Sequence, residues 1–306
     1  MTPIAVTTAQ LPPFHDSGDK VFTTPDAVIV LDGASAHAAV PVSPSTYAET
    51  LGGHLRDHLD HDTGIELADA LAEAITATTL QLHLTPGASP SSTVTILRRR
   101  GDHVDVLMLG DNLLLAPNRA VIDPRLDHLD IPERRQYRQR LADGTGFDHT
   151  HRALLVALQR RQAARRNRPG GYWIAETDPA AAYQAIRATL PVEDIPWAIV
   201  ATDGAYIPMT QLGITDWPTT STMTAAGLHD ILTRCHTWEH HIDPDARILP
   251  RAKRHDDKTL VTLRFPQPLR SLSGRRAERR TPAQGRGRHA LSVSVRRRPA
   301  AASRSA

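Results

Sequence analysis

The chain has 306 residues, 40% of them hydrophobic, which suffices for a core of its own and excludes an intrinsically disordered protein. A single cysteine, Cys235, excludes a disulfide framework and any cysteine-held zinc or iron–sulfur site, and points to a reducing, cytoplasmic compartment. No apolar stretch approaches the roughly 18 residues a membrane span needs, and MTPIAVTTAQLPPF lacks a basic start before a long apolar run, so a soluble protein is expected.

The formal net charge of +3 hides an uneven distribution. Residues 267–306 hold 11 Arg against the single Glu278, a net of +10, so the first 266 residues carry −7. The 267–306 segment, rich in Arg, Ser, Ala, Pro and Gly, reads as a disordered tail that meets nucleic acid only non-specifically through charge. The acidic body, with 4% aromatic residues, offers neither a basic groove nor a stacking platform.

In chain order, AVIVLDGA (27–34) is a β-branched apolar run ending in Asp-Gly and predicts a buried strand. Tyr47, Leu51, Leu55 and Leu59, then Leu67, Leu71, Ile75, Thr78 and Leu82, recur at helical spacing and predict two consecutive amphipathic helices. STVTILRRR (92–100) and DHVDVLMLGDN (102–112) predict a hairpin around Arg100 and Gly101. Helices are expected over 132–142, 149–166, 178–189 and 224–238, the third announced by Asp178-Pro179. Further strands are expected at 171–175, 197–204 and 258–265. This order lacks regular βαβα alternation and favours an α+β domain of antiparallel sheets covered by helices.

Four aspartates stand at predicted strand ends: Asp32 in VIVLDGAS, Asp111 in LMLGDNLLL, Asp203 in AIVATDGAY and Asp256 in RHDDKTLVTL. Three of them adjoin a glycine, which permits close backbone approach and exposes a carbonyl. Oxygen-only donors select hard cations such as Mg²⁺ or Mn²⁺. Clustered carboxylates raise one another's pKa, a penalty that a divalent cation removes. Each Asp-Gly taken singly is also an ordinary turn.

Taken together and in order over residues 17–265, VIVLDGAS, SSTVTI with VDVLMLGDN, IVATDGAY and HDDKTLVTL resemble the segments of the metal-dependent PP2C-type Ser/Thr protein phosphatases. The resemblance implies a four-layer αββα sandwich over residues 1–266, two antiparallel sheets flanked by helices. It implies two Mn²⁺ or Mg²⁺ ions held by Asp32, Asp203, Asp256 and the Gly33 carbonyl, with Asp111 near a weaker third position. SGDKVF (17–22) resembles the family's Glu-Asp segment and makes Asp19 the carboxylate that orients water. Asp19, Asp32 and Asp203 are then the catalytic aspartates.

The implied reaction is hydrolysis of phosphoserine or phosphothreonine in a protein substrate, in a bacterial-type signalling circuit. A water between two ions roughly 3.5–4 Å apart attacks phosphorus, with no covalent phospho-enzyme. The chain departs from the family at three points: Gly18 replaces an acidic residue, no Arg precedes Asp19, and Ala34 stands where some members carry a His. His15 or Lys20 is the nearest candidate for the missing phosphate-binding charge, although neither copies a bidentate guanidinium. These departures motivate an alternative: a PP2C-fold pseudophosphatase acting as a regulatory binding module.

Other signals read as structural. WEHHID (238–243) lacks HExxH spacing and reads as a solvated helix end. Cys235 has no phosphate-cradling loop after it and reads as a buried cysteine. GTGFDH (144–149) reads as a turn into a helix. Arg160, Arg161, Arg165, Arg166 and Arg168 read as a solvated basic face.

Overall fold

A computed structural model describes residues 4–37 and 39–266, all within one compact unit, Met1–Gln267; the tail expected over 267–306 lies outside the described residues. Among the described residues are ten strands: β1 (Ala5–Leu11), β2 (Lys20–Thr23), β3 (Ala27–Leu31), β4 (Val94–Arg100), β5 (His103–Leu109), β6 (Leu113–Ala116), β7 (Arg119–Val121), β8 (Ile186–Pro191), β9 (Trp197–Ala201) and β10 (Lys258–Arg264). The helices are α1 (Pro44–His61), α2 (Leu67–Gln81), α3 (Pro132–Ala142), α4 (His149–Ala163), α5 (Asp203–Gln211), α6 (Trp217–Thr220) and α7 (Ala225–His241). The strands form two five-stranded sheets, ordered β1-β10-β9-β6-β7 and β2-β3-β4-β5-β8, with every pairing antiparallel.

The buried run AVIVL shows how the layers arise. Side chains alternate across a strand, so Val28 and Val30 of β3 enter the core between the sheets, with Val106 and Met108 of β5, Val200 of β9 and Val261 of β10. Ala27, Ile29 and Leu31 face the opposite way, onto Leu51 and Leu55 of α1 and Leu71 and Ile75 of α2. Strand β9 divides likewise: Ile199 and Ala201 pack under Met209 of α5 and Leu228, Leu232 and Cys235 of α7. The result is helix, sheet, sheet, helix. Truncating a fully buried leucine such as Leu55 to alanine in such a core costs about 2–5 kcal/mol.

Helix starts follow local chemistry. Ser43 Oγ accepts a hydrogen bond from the Thr46 amide at 3.0 Å ahead of Pro44, and Asp148 Oδ1 accepts one from the His151 amide at 2.7 Å, which makes GTGFDH the turn into α4 that was expected. Helices α3 and α4 form a satellite cluster of their own around Tyr137, Leu141, Leu155 and Leu158.

Three expectations are corrected. Residues 171–175 make isolated bridges to Arg166 and Ser92 instead of a strand, because the Asn167 side-chain carbonyl takes the Ile174 amide at 2.9 Å. Residues 178–189 are not one helix: Asp178 caps a 3₁₀ turn over Pro179–Gln184, and β8 then pairs along the free edge of β5. Ile186, Ala188 and Leu190 alternate with Arg187 and Thr189, a two-residue period that fits a strand. Finally, the segment after Ala201 turns directly into α5, so Asp203 opens a helix.

Candidate metal centre

Four chain segments meet where β3, β5 and β9 end and β10 begins. Asp32 directly follows β3, and the start of β4 fixes its backbone. The Asp32 amide donates to Thr93 Oγ1 at 3.0 Å, while its carbonyl accepts from the Thr93 amide and from Ser92 Oγ, both at 2.9 Å. Asp111 comes two residues after β5, past Gly110. Gly110 has φ +94°, and a Cβ there would lie 2.7 Å from Thr93 Cγ2, so the turn requires glycine. Asp203 sits in the first turn of α5, where the helix dipole favours a negative charge.

Asp256 stands two residues before β10 and accepts Lys253 Nζ at 2.6 Å and the Asp257 amide at 3.0 Å on Oδ1. Gly204 is what lets α5 touch this segment: a Cβ would fall 2.0 Å from the Asp257 carbonyl oxygen and 3.0 Å from Asp256 Cβ. Asp19 is the most enclosed of the five aspartates, 1% exposed. Its Oδ2 accepts from Thr202 Oγ1 at 2.8 Å, and Thr202 Oγ1 in turn accepts from the Thr259 amide at 3.0 Å. One hydroxyl thus ties Asp19 to β9 and β10.

These carboxylates feel one another's charge. Burial and repulsion from Asp19, Asp203, Asp256 and Asp111 push Asp32 well above the ordinary carboxylate pKa. Burial, with lesser repulsion from Asp256 and Asp257, raises Asp19 to about 7 despite its threonine hydrogen bonds. Burial and Asp203 raise Asp111 to about 7, and burial and Asp256 raise Asp203 to about 6 although Asp203 shares a hydrogen bond with Asp32. Oxygen donors in charge deficit fit a hard divalent cation.

The structure therefore brings Asp19, Asp32, Asp111, Asp203 and Asp256 together. The Gly33 amide donates to the Gly18 carbonyl at 3.2 Å, so the loop bearing Asp19 rests against the Asp32-Gly33 turn. Lys20 lies elsewhere: its fully buried Nζ donates to the Phe14 carbonyl at 2.6 Å, sits 4.4 Å over the Phe14 ring and pairs with Glu49 at 3.5 Å. His15 is exposed, with its ring edge-on to Phe14.

Sequence reading missed Lys253. Asp256, followed by Asp32 and Asp257, raises its pKa against the opposing effect of burial. Its position three residues before Asp256 was the available signal. The Gly18 amide donates to Asp257 Oδ2 at 2.9 Å, and a Cβ on Gly18 would lie 2.8 Å from that oxygen. The Asp257 carboxylate thus occupies the space where a residue-18 side chain would begin.

Of the side readings, Cys235 is buried and burial pushes its thiol up to about 11, far from a nucleophile's range. Arg166 is not part of a solvated face: it is half-buried and pairs with Glu176 at 3.0 Å. No helix among the described residues is long and apolar enough to cross a membrane.

No protein-family model matches the sequence, and no curated protein matches it either. Solved structures do. The photosystem II phosphatase PBCP matches with TM-score 0.55 at 14% identity, over 86% of this chain and 99% of that one. The serine/threonine phosphatase Stp1 from Staphylococcus aureus matches with TM-score 0.51 at 12% identity, over 87% and 96%. The catalytic domain of the serine/threonine phosphatase PstP, in complex with two manganese ions, matches with TM-score 0.49 at 15% identity, over 86% and 98%. With the first two covered almost end to end, and with two antiparallel sheets between helical layers, the chain has the fold of the metal-dependent PP2C-type serine/threonine phosphatases.

Proposed function

We propose that this protein is a metal-dependent serine/threonine protein phosphatase that hydrolyses phosphoserine or phosphothreonine in a protein substrate, with residues 1–266 as the phosphatase domain. The observation that carries this reading is the convergence of Asp19, Asp32, Asp111, Asp203 and Asp256 from five segments, four of them with carboxyls pushed up by burial and by repulsion from their neighbours. Asp32, Asp203, Asp256 and the Gly33 carbonyl would hold two Mn²⁺ or Mg²⁺ ions, with Asp111 beside a third position. Bound there, such ions neutralise phosphoryl oxygens and lower the pKa of water.

The chain's own residues supply the positioning. Asp19, fixed by Thr202, would orient the attacking water and accept its proton. Thr93 and Ser92 hold the Asp32 backbone, and the tight Gly204 contact sets the approach of Asp203 to Asp256. Lys253 faces the aspartates and is the cation we assign to the phosphoryl group, in place of the engaged Lys20; the exposed His15 contributes at most at the rim.

A second reading, a PP2C-fold pseudophosphatase that binds a phosphoprotein as a regulatory module, is favoured by one observation: Lys253 already pairs with Asp256, an internal cation where an ion would bind. The two readings separate in one experiment, phosphate release from a phosphothreonine peptide by the full chain with Mn²⁺, with Mg²⁺ and with EDTA, beside Asp203→Asn. Metal-dependent turnover lost in the variant supports the enzyme. Mn²⁺ binding without turnover overturns it in favour of the module.

A further inference from the structure

Next to Asp256, at His255, begins a second group of ligating side chains with different chemistry. His236 and Glu239, three residues apart in the last turns of α7, share a helix face. His255 reaches them from the residues before β10. One donor atom from each of His236, Glu239 and His255 lies within 4.8 Å of the other two. The His236 and His255 rings stack with centroids 4.1 Å apart, and the ring of His240 lies 5.7 Å from that of His255.

Glu239 is 2% exposed, yet Lys258 Nζ, 2.8 Å from its Oε2, already compensates its charge. Burying the carboxylate therefore does not require imidazoles. Even so, His255 Nδ1 approaches the same oxygen at 3.1 Å and His236 stacks behind it. Two imidazoles and one carboxylate are a donor set for zinc and its neighbours, unlike the oxygen-only set of the aspartate centre. Lys258 then acts as the outer partner that holds the carboxylate, leaving its other oxygen for the ion.

We propose that His236, Glu239 and His255 form a second metal site, selective for Zn²⁺-class cations, with three protein ligands and one open position. An ion there fastens the end of α7 to the segment 255–258. Asp256 follows His255 directly, and Lys258 Nζ also donates to the Asp256 carbonyl at 3.0 Å. The site thus steadies one wall of the aspartate centre from behind. It stands independently of the phosphatase reading, since it needs no turnover.

The test is calorimetric titration of the chelator-treated full chain with Zn²⁺, and with Co²⁺ as a visible-absorbing probe of nitrogen ligation, all in the Asp203→Asn background so that the aspartate centre is disabled. We expect one equivalent of Zn²⁺ and a Co²⁺ band, with affinity falling by more than about 100-fold in His236→Ala and in His255→Ala, beyond what loss of an outer partner costs. Alanine at 236 suits a helix, and thermal melts of both variants check that the fold is retained. Unchanged stoichiometry and affinity in folded His236→Ala and His255→Ala, or no Zn²⁺ bound by the parent, would overturn the site.

Discussion

The three residues His255, Asp256 and Asp257 divide two clusters that handle buried charge in opposite ways. On one side, Glu239 meets Lys258 and is electrically balanced, with the imidazole of His255 3.1 Å from the same carboxylate. On the other, five aspartates crowd together and Lys253 pairs with only one of them, Asp256, so burial and mutual repulsion push Asp19, Asp32, Asp111 and Asp203 up. A balanced cluster selects an ion by donor chemistry, whereas a cluster in deficit calls for any hard cation that relieves repulsion. The first therefore tolerates emptiness better than the second.

The sharpest way to break this contrast is Asp203→Asn. It should lower Mn²⁺-dependent turnover and Mn²⁺ affinity by at least about 100-fold, more than an outer partner costs, while leaving Zn²⁺ binding at His236 and His255 intact. Next in size, Gly204→Ala drives a Cβ into the Asp257 carbonyl, which has no flexible end to move away. Overpacking of this kind costs about 1–3 kcal/mol, read as a lower denaturant midpoint, and it should weaken Mn²⁺ binding as well.

Thr202→Val removes the hydroxyl between Asp19 and the Thr259 amide, leaving two buried groups without that partner. We expect about 1–3 kcal/mol of destabilisation by chemical denaturation, and a further rise of the Asp19 pKa.

The pH dependence of the metal-free protein sets the two sides against each other. Asp19 and Asp111 titrate near 7 when folded and near 3.8 when unfolded, so the folded state binds more protons between those values. Stability from them falls as pH rises from about 4 to 7, and Mn²⁺ should abolish that loss. His236 and His255 are held below 6.5 by burial, so the folded state binds fewer protons there and stability rises towards pH 6.5. Melting curves across this range should show a shallower falling limb in Asp19→Asn and a shallower rising limb in His236→Ala, since Asp111 and His255 remain. The smallest effect should be Asp257→Asn, which keeps an acceptor for the Gly18 amide and removes one repelling charge. Its Mn²⁺ affinity should change by less than the roughly 10-fold that outer-shell losses begin to cost, and the Asp19 pKa should fall.

Much of the fold could be read locally. AVIVL, the leucine stripes of α1 and α2, the hairpin at Gly101 and LVTLRF each contain their own periodicity, and period alone says strand or helix. Strand β8 and the bridges at 171–175 could not be read that way. An edge of β5 decided the first, and the Asn167 side chain decided the second.

The same division holds at the centre. Strand-end position was enough to single out Asp32, Asp111, Asp203 and Asp256, three of them beside a glycine, because that is a chemical pattern carried by the chain itself; Asp19 was reached only through the resemblance of SGDKVF to the PP2C family's Glu-Asp segment. Lys253, the placement of Asp257 against Gly18, the burial of Lys20 beside Phe14 and the meeting of His255 with His236 and Glu239 were settled only by tertiary structure. The physical reason is that each depends on a distance between residues far apart in sequence, or on which way one side chain turns. Spacing along a chain fixes neither until the sheets have closed on one another.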